Sequence, residues 1–197
     1  MSRAPELVPS TLVNPELIRC GWATSAPDYI VYHDEEWGRP VRGDDLVYER
    51  LTLEAFQSGL SWLTILRKRE NFRKAFAGFS IEAVAAFGEQ DVERLLADAG
   101  IVRNRSKIEA AIANARAAIE LAGGVSELVW RYADPSSPVP ASLADVPATT
   151  PASKALAKEL KRHGFRFVGP TTAYALMQAI GLVNDHLAEC WVRGRLA

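Results

Sequence analysis

"TPASKALAKELKRHGFRFVGPTTAYALMQAIG", Thr150 to Gly181, is the most completely punctuated stretch of this 197-residue chain. Thr150 can cap a helix with Pro151 at its first position, and Gly164 ends that helix. Gly169 and Pro170 start the next, and Gly181 ends it. The spacing therefore predicts helices over 152–163 and 170–181, joined by the six-residue hairpin "GFRFVG". The first helix and the hairpin carry Lys154, Lys158, Lys161, Arg162 and Arg166 against the single acid Glu159, and no acid occurs from Pro170 to Asn184. Amides freed at the glycine hairpin and at the N-terminus of the second helix, with the helix dipole and these cations, suit a phosphate. Sequence-independent contact with a DNA backbone is one reading of this segment; a solvated basic face on an ordinary helical hairpin is the other.

Outward from the hairpin, apolar residues recur at three-to-four spacing and no run alternates with period two, so the fold class is all-α. Helices are expected at about 44–60, 63–77, 81–87, 90–98, 104–122, 126–132 and 185–192, besides the two above. Five of the eleven prolines fall between Pro135 and Pro151, which makes that segment a linker between helical groups. With 48% hydrophobic and 24% charged residues the chain is ordinary globular material, and its net charge of −1 carries no global signal for nucleic acid. No window approaches the ~18 consecutive apolar residues of a membrane span, and Pro5, Glu6, Pro9, Pro15 and Glu16 stand where a signal peptide would be apolar. A cytoplasmic protein with a flexible tail over residues 1–18 is the expectation.

On helix 44–60, Val47, Leu51, Glu54 and Ser58 form one largely apolar stripe. A carboxylate there is costly unless satisfied: either Arg50, four residues earlier, pairs with it, or it is kept for a ligand. Trp22, Tyr29, Tyr32 and Trp37 precede this helix and Trp62 follows it. Each alone fits core packing; together with an acid they suit a flat cationic ring. The only two cysteines, Cys20 and Cys190, are too far apart in sequence to imply local pairing, and a reducing cytosol favours metal binding or inert burial over a disulfide. His186 and Cys190, at i and i+4, form half of a possible metal site, although a packed helix end explains that spacing as well.

The blocks "RCGWATSAPDYIVYHDEEWGRP" (19–40), "LEAFQSGLSWLTILRKRENFRKAF" (53–76), "DAGIVRNRSKIEAAIANARA" (98–117) and "RHGFRFVGPTTAYALMQAIGLVNDHLAEC" (162–190) together resemble the 3-methyladenine DNA glycosylase I family of the helix-hairpin-helix superfamily. The resemblance spans about residues 19–191. It implies a helix-hairpin-helix glycosylase fold, with a helical domain over 44–182 and a small zinc-binding domain built from 19–43 and 183–197. It also implies the reaction: hydrolysis of the N-glycosidic bond of N3-methyladenine flipped out of alkylated double-stranded DNA, by a monomer.

By the same resemblance Glu54 is the catalytic-site carboxylate that hydrogen-bonds the base. Tyr32 and Trp62 are its aromatic walls, Trp22, Tyr29 and Trp37 are neighbours, and Ser58 sits one turn away. Gly164, Phe167, Gly169, Thr171, Lys161 and Arg166 become the DNA-backbone contacts. Cys20, His33, His186 and Cys190 match the ligands of one structural Zn2+. Many superfamily members carry an Asp where this chain has Asn184; the adjacent Asp185 is explained by helix N-capping, so no water-activating base is assigned. The second hairpin helix contains no Lys to form a Schiff base, which implies monofunctional hydrolysis. The alternative function is a non-catalytic, zinc-stabilised DNA-binding module. "RKRENFRK" (67–74) and "RNRSK" (103–107) are either further phosphate contacts or solvated helix surface.

Overall fold

The computed structural model describes Asn14 and residues 16–196, and among these every regular element is helical. In chain order they are α1 (Pro27–Glu35), α2 (Asp44–Gln57), α3 (Trp62–Ala75), α4 (Ile81–Ala85), α5 (Glu89–Ala97), α6 (Arg105–Ile119), α7 (Gly124–Trp130), α8 (Pro151–Arg162) and α9 (Pro170–Ala179). Short 3-10 turns lie at Gly21–Ser25, Leu143–Asp145 and Arg193–Arg195, among others. Among the described residues, no helix is long and apolar enough to cross a membrane. Most of the tail expected at 1–18, residues 1–13 and 15, lies outside the described residues.

The eight helices expected between 44 and 181 form, with ends displaced by at most three residues. Two local readings fail. A helix over 27–35 was not anticipated, although Pro27 at its first turn and Asp28 beside it are ordinary start signals. Conversely, 185–192 is not helical. Its backbone groups go elsewhere: the Cys190 N–H turns back to the Leu187 carbonyl (2.9 Å), Ala188 donates to Pro140 (2.9 Å) and Trp191 to Ile18 (2.9 Å). Long-range pairing satisfies these groups, so a lone i,i+4 spacing could not impose a helix.

α2 runs through the centre. Val47, Tyr48, Leu51, Leu53 and Phe56 are fully buried, and α2 touches α3, α6, α7 and α9. Phe56 packs on Phe72 (centroids 4.8 Å apart), and the Tyr48 hydroxyl donates to the Ala111 carbonyl at 2.9 Å. α8 and α9, joined by the hairpin, pack against each other. At the start of α8, the Thr150 hydroxyl accepts from the Ser153 N–H (3.1 Å) and Ser153 Oγ accepts from the Thr150 N–H (2.9 Å). A second, smaller core holds Cys20, Cys190 and Val192, with Trp22, Trp37, Leu187, Trp191 and Leu196 packed around it. Both chain ends contribute to it. Trp37 touches both cores, so the terminal cluster adjoins the helical body directly.

Candidate active site and metal cluster

A cavity of about 420 Å3 opens between α1, α2, α3 and α9, within the ~300–1,000 Å3 usual for small-molecule sites. Glu54 enters it from α2, Tyr29 and Tyr32 from α1, Trp62 from the first turn of α3, and Trp22 and Trp37 from the flanks of α1. Tyr32 and Trp62 face each other obliquely, centroids 5.5 Å apart at 47°. Behind them Trp22 meets Tyr29 and Trp37 edge to face at 5.5 and 5.1 Å. The Tyr29 hydroxyl accepts from the Leu63 N–H at 2.8 Å, which ties α1 to the N-terminus of α3. Burial, reinforced by Glu54, pushes the Tyr32 phenol up, so it stays protonated and neutral.

Glu54 is only 6% exposed, and no ion pair or hydrogen bond among the described residues reaches its carboxylate. Burial pushes it up to about 8, opposed in part by the charge of Arg50. The intrahelical pair that Arg50 offered does not form; Arg50 instead donates to Glu36 at 3.2 Å. A buried, unpaired carboxylate on the wall of an aromatic-lined cavity is poised to take a proton or a cation.

Two site expectations change. Ser58 is exposed at the C-terminal cap of α2 and does not line the cavity; the helix ends at Gln57, before that turn of the stripe is completed. Asp185 caps nothing, because no helix follows it. It is buried, lines the cavity, and accepts from the Tyr174 hydroxyl (2.6 Å) and Gln178 Nε2 (2.7 Å). Leu143 and Val146, from the proline-rich segment read as a linker, also line the cavity, as do Gln57, Ser61, Ala175 and Gln178. Linker composition gave no signal for Leu143 and Val146.

Cys20, His33, His186 and Cys190 converge although 170 positions separate the first from the last: all four are buried and their ligand atoms lie within 4.8 Å of one another. His186 Nδ1 is 3.2 Å from His33 Nε2 and 3.4 Å from Cys190 Sγ; Cys190 Sγ is 3.4 Å from His33 Nε2, and Cys20 Sγ is 3.8 Å from His186 Nδ1. Each imidazole has its other nitrogen engaged. His33 Nδ1 sits 2.8 Å from Asp34 Oδ1, and His186 Nε2 donates to the Trp37 carbonyl at 3.1 Å. Such outer partners fix the tautomer that turns a lone pair inward. Cys20 Sγ also accepts from the Leu187 N–H at 3.4 Å. This set could hold a metal ion. Asp34 is itself held by Arg19 and by Trp191 Nε1; burial pushes its carboxyl up, but Arg19, with the donors around it, outweighs this and keeps it below the usual carboxylate range.

On the hairpin, Phe165 and Val168 are buried while Lys161, Gly164, Arg166, Phe167 and Thr171 are exposed and Gly169 half-buried. Gly164 has φ +89° and Phe167 φ +55°. A Cβ on Gly169 would meet nothing within 4 Å, so the start of α9 is open to an incoming group. The other two basic runs are largely spent internally. Arg67 pairs with Asp28, Arg69 with Glu36, Arg73 with Glu49 and Glu70, and Lys68 donates to the Ala99 and Gly100 carbonyls. Arg105 pairs with Glu89, Glu93 and Glu109, and Lys107 is buried, donating to the Phe56 (2.9 Å) and Ser58 (2.6 Å) carbonyls at the end of α2.

An open basic helical hairpin beside an aromatic cavity lined by two buried carboxylates, Glu54 and Asp185, is a helix-hairpin-helix arrangement with a cavity suited to a flat cationic ring. Residues 22–193 match the family model described as methyladenine glycosylase, and the chain belongs to that family. The DNA-3-methyladenine glycosylase 1 of Escherichia coli (strain K12) is 48% identical over 177 residues, which cover 87% of this chain and 95% of that protein. Among solved structures, a crystal structure of 3-methyladenine DNA glycosylase I superimposes with a TM-score of 0.85 at 47% identity, covering 88% of this chain and 98% of its own. Another, a variant of such an enzyme in complex with 3-methyladenine, gives a TM-score of 0.84 at 34% identity, covering 89% and 97%. The fold is thus the all-helical glycosylase fold.

Proposed function

We infer that this protein is a monofunctional DNA-3-methyladenine glycosylase, which hydrolyses the N-glycosidic bond of N3-methyladenine extruded from alkylated duplex DNA and leaves an abasic site. The observation that carries the reading is Glu54, a buried carboxylate without a partner, lining the same cavity as Tyr32 and Trp62. N3-methyladenine in DNA is already cationic, so its glycosidic bond is weak and the base departs neutral without a strong general acid. The aromatic faces of Tyr32 and Trp62 attract an electron-poor ring, and Glu54 accepts a hydrogen bond from its edge and balances its charge. Normal adenine, neutral and well paired, gains less in the cavity and costs more to extrude. Trp22, Tyr29 and Trp37 support these walls. Asp185, buried on the same lining, adds a second acidic side chain on the α9 side.

Outside the cavity, the amides of Gly164 to Gly169 and the start of α9 at Thr171, with Lys161 and Arg166, grip the DNA backbone, and Phe167 projects between them. Cys20, His33, His186 and Cys190 hold one structural Zn2+. A tetrahedron built on Zn–S of ~2.3 Å and Zn–N of ~2.0–2.1 Å has edges of about 3.3–3.8 Å. Four of the six donor separations, from 3.2 to 3.8 Å, match such edges, and all six lie within 4.8 Å. Two thiolates and two imidazoles close the coordination sphere, so the ion ties residues 19–43 to 183–197 and takes no part in base removal. The enzyme is a monomer and works in the cytoplasm, where thiols stay reduced.

Release of free 3-methyladenine from methylated duplex DNA tests the function. The wild type is expected to free the base and Glu54→Gln to lose most of that activity. A zinc-loaded, folded wild type that binds DNA but frees no base would overturn the proposal in favour of a binding module.

A further inference from the structure

The helices that carry Tyr32, Glu54 and Trp62 are joined by one ion cluster that lies outside the cavity lining. Glu36, immediately after α1, accepts from both ends of the Arg69 guanidinium on α3, Nη1 to Oε2 at 2.5 Å and Nη2 to Oε1 at 2.8 Å. It also accepts from Arg50 Nη2 on α2 at 3.2 Å. Arg50 precedes Glu54 by one turn, where an i,i+4 ion pair would ordinarily form. It does not form, yet Arg50 Nη1 is buried with no partner. A spare donor thus sits one turn from an unpaired buried acid, and what separates them is the commitment of Arg50 to Glu36.

We propose that Glu36, anchored by Arg69, is a positioning residue that holds Arg50 off Glu54 and so keeps the cavity carboxylate free for its ligand. The consequence for catalysis rests on the base-binding reading of Glu54 given above. Paired with Arg50, Glu54 would meet a cationic base with its charge already neutralised, and the guanidinium would repel that base. The bidentate Arg69 contact fixes Glu36 in place, since two parallel bonds define its orientation. The other titratable or charged groups around Glu54 are Tyr29 and Tyr32 from α1 and Asp185 from the segment after α9. None of them offers a competing cation.

The test follows the ionisation of Glu54 in the zinc-loaded, DNA-free protein by carboxyl carbon NMR, with the resonance assigned by its absence in Glu54→Gln. Glu36→Gln should free Arg50 and move the Glu54 midpoint to lower pH. Arg50→Met should move it to higher pH, and the double variant should follow Arg50→Met. In base release, Glu36→Gln should lose roughly tenfold in kcat/KM, part of which the double variant recovers. An unmoved Glu54 midpoint in folded Glu36→Gln overturns the proposal, as does an equal loss of activity in the single and double variants. Should Glu36→Gln fail to fold, an unmoved midpoint in Arg50→Met overturns it. A wild type that frees no base while Glu54 titrates as described supports the role of Glu36 and overturns only the glycosylase reading.

Discussion

Asn114 of α6 brackets Arg166 at the tip of the hairpin: its Oδ1 accepts from the Arg166 N–H at 2.7 Å, and its Nδ2 donates to the Arg166 carbonyl at 3.0 Å. Asn114 is 1% exposed, so this exchange is made inside the protein and holds the hairpin backbone as a neighbouring strand would. Asn114→Ala strands two backbone groups at a cost of ~1–3 kcal/mol. The expected outcome is weaker binding to undamaged duplex DNA with unchanged affinity for free 3-methyladenine, measured side by side. Equal DNA affinity for both proteins would show that the hairpin is rigid without the bracket.

Glu54 makes stability depend on pH in a definite direction. Burial raises it from 4.5 to about 8, so the folded protein holds this proton more tightly than the unfolded chain. The contribution is complete below pH 4.5 and is lost as the pH rises through 8. Glu54→Gln, which cannot ionise, should therefore be more stable than wild type in alkaline buffer, with the gap closing toward acid. Thermal unfolding of both zinc-loaded proteins from about pH 5 to about pH 9 measures this. A gap that is constant across the range would mean that Glu54 ionises as easily folded as unfolded.

The metal cluster predicts one zinc per chain and a fall in melting temperature on chelation, because an ion there would join His33 and His186, 153 positions apart, and so hold together the smaller core of Cys20, Cys190 and Val192. Asp34→Asn, which weakens the carboxylate behind His33 Nδ1, should lower zinc affinity ~10–100-fold in a competition titration with a chromophoric chelator. An intact metal-free fold with the same melting temperature would remove the structural role.

Gly181 ends α9 with φ +78°, and a Cβ there would lie 2.7 Å from the Gly38 carbonyl oxygen and 2.9 Å from the carbonyl carbon of Arg39. Both are backbone atoms that cannot rotate away. Gly181→Ala should cost ~2 kcal/mol or more in urea unfolding. A neutral result would mean that the segment 38–40 can withdraw from α9.

The hairpin was legible because its signals are local. Capping residues, a proline at the first helical position and glycines at the stops act within a few residues, so α8 and α9 end within two residues of their expected places. Glu54 was legible as an anomaly, an acid on an apolar stripe, but the partner question was not. Arg50 was equally available to Glu54 and to Glu36, and only the approach of α1 and α3 settles which it takes. Local pattern also misled after Gly181, where His186 and Cys190 do share a site but are brought together by a turn in place of a helix.

Helix periodicity and punctuation thus establish an all-helical chain, the hairpin and the acid at 54, since each is a property of residue type and spacing along one segment, while the set of four Cys and His residues came from the resemblance of the family blocks. The cavity itself, the entry of Asp185, Leu143 and Val146 into its wall, the burial of Lys107 under the end of α2 and the diversion of Arg50 to Glu36 are fixed only in three dimensions. They depend on which of several distant partners reaches a group first, and in a packed interior each donor can satisfy only one geometry.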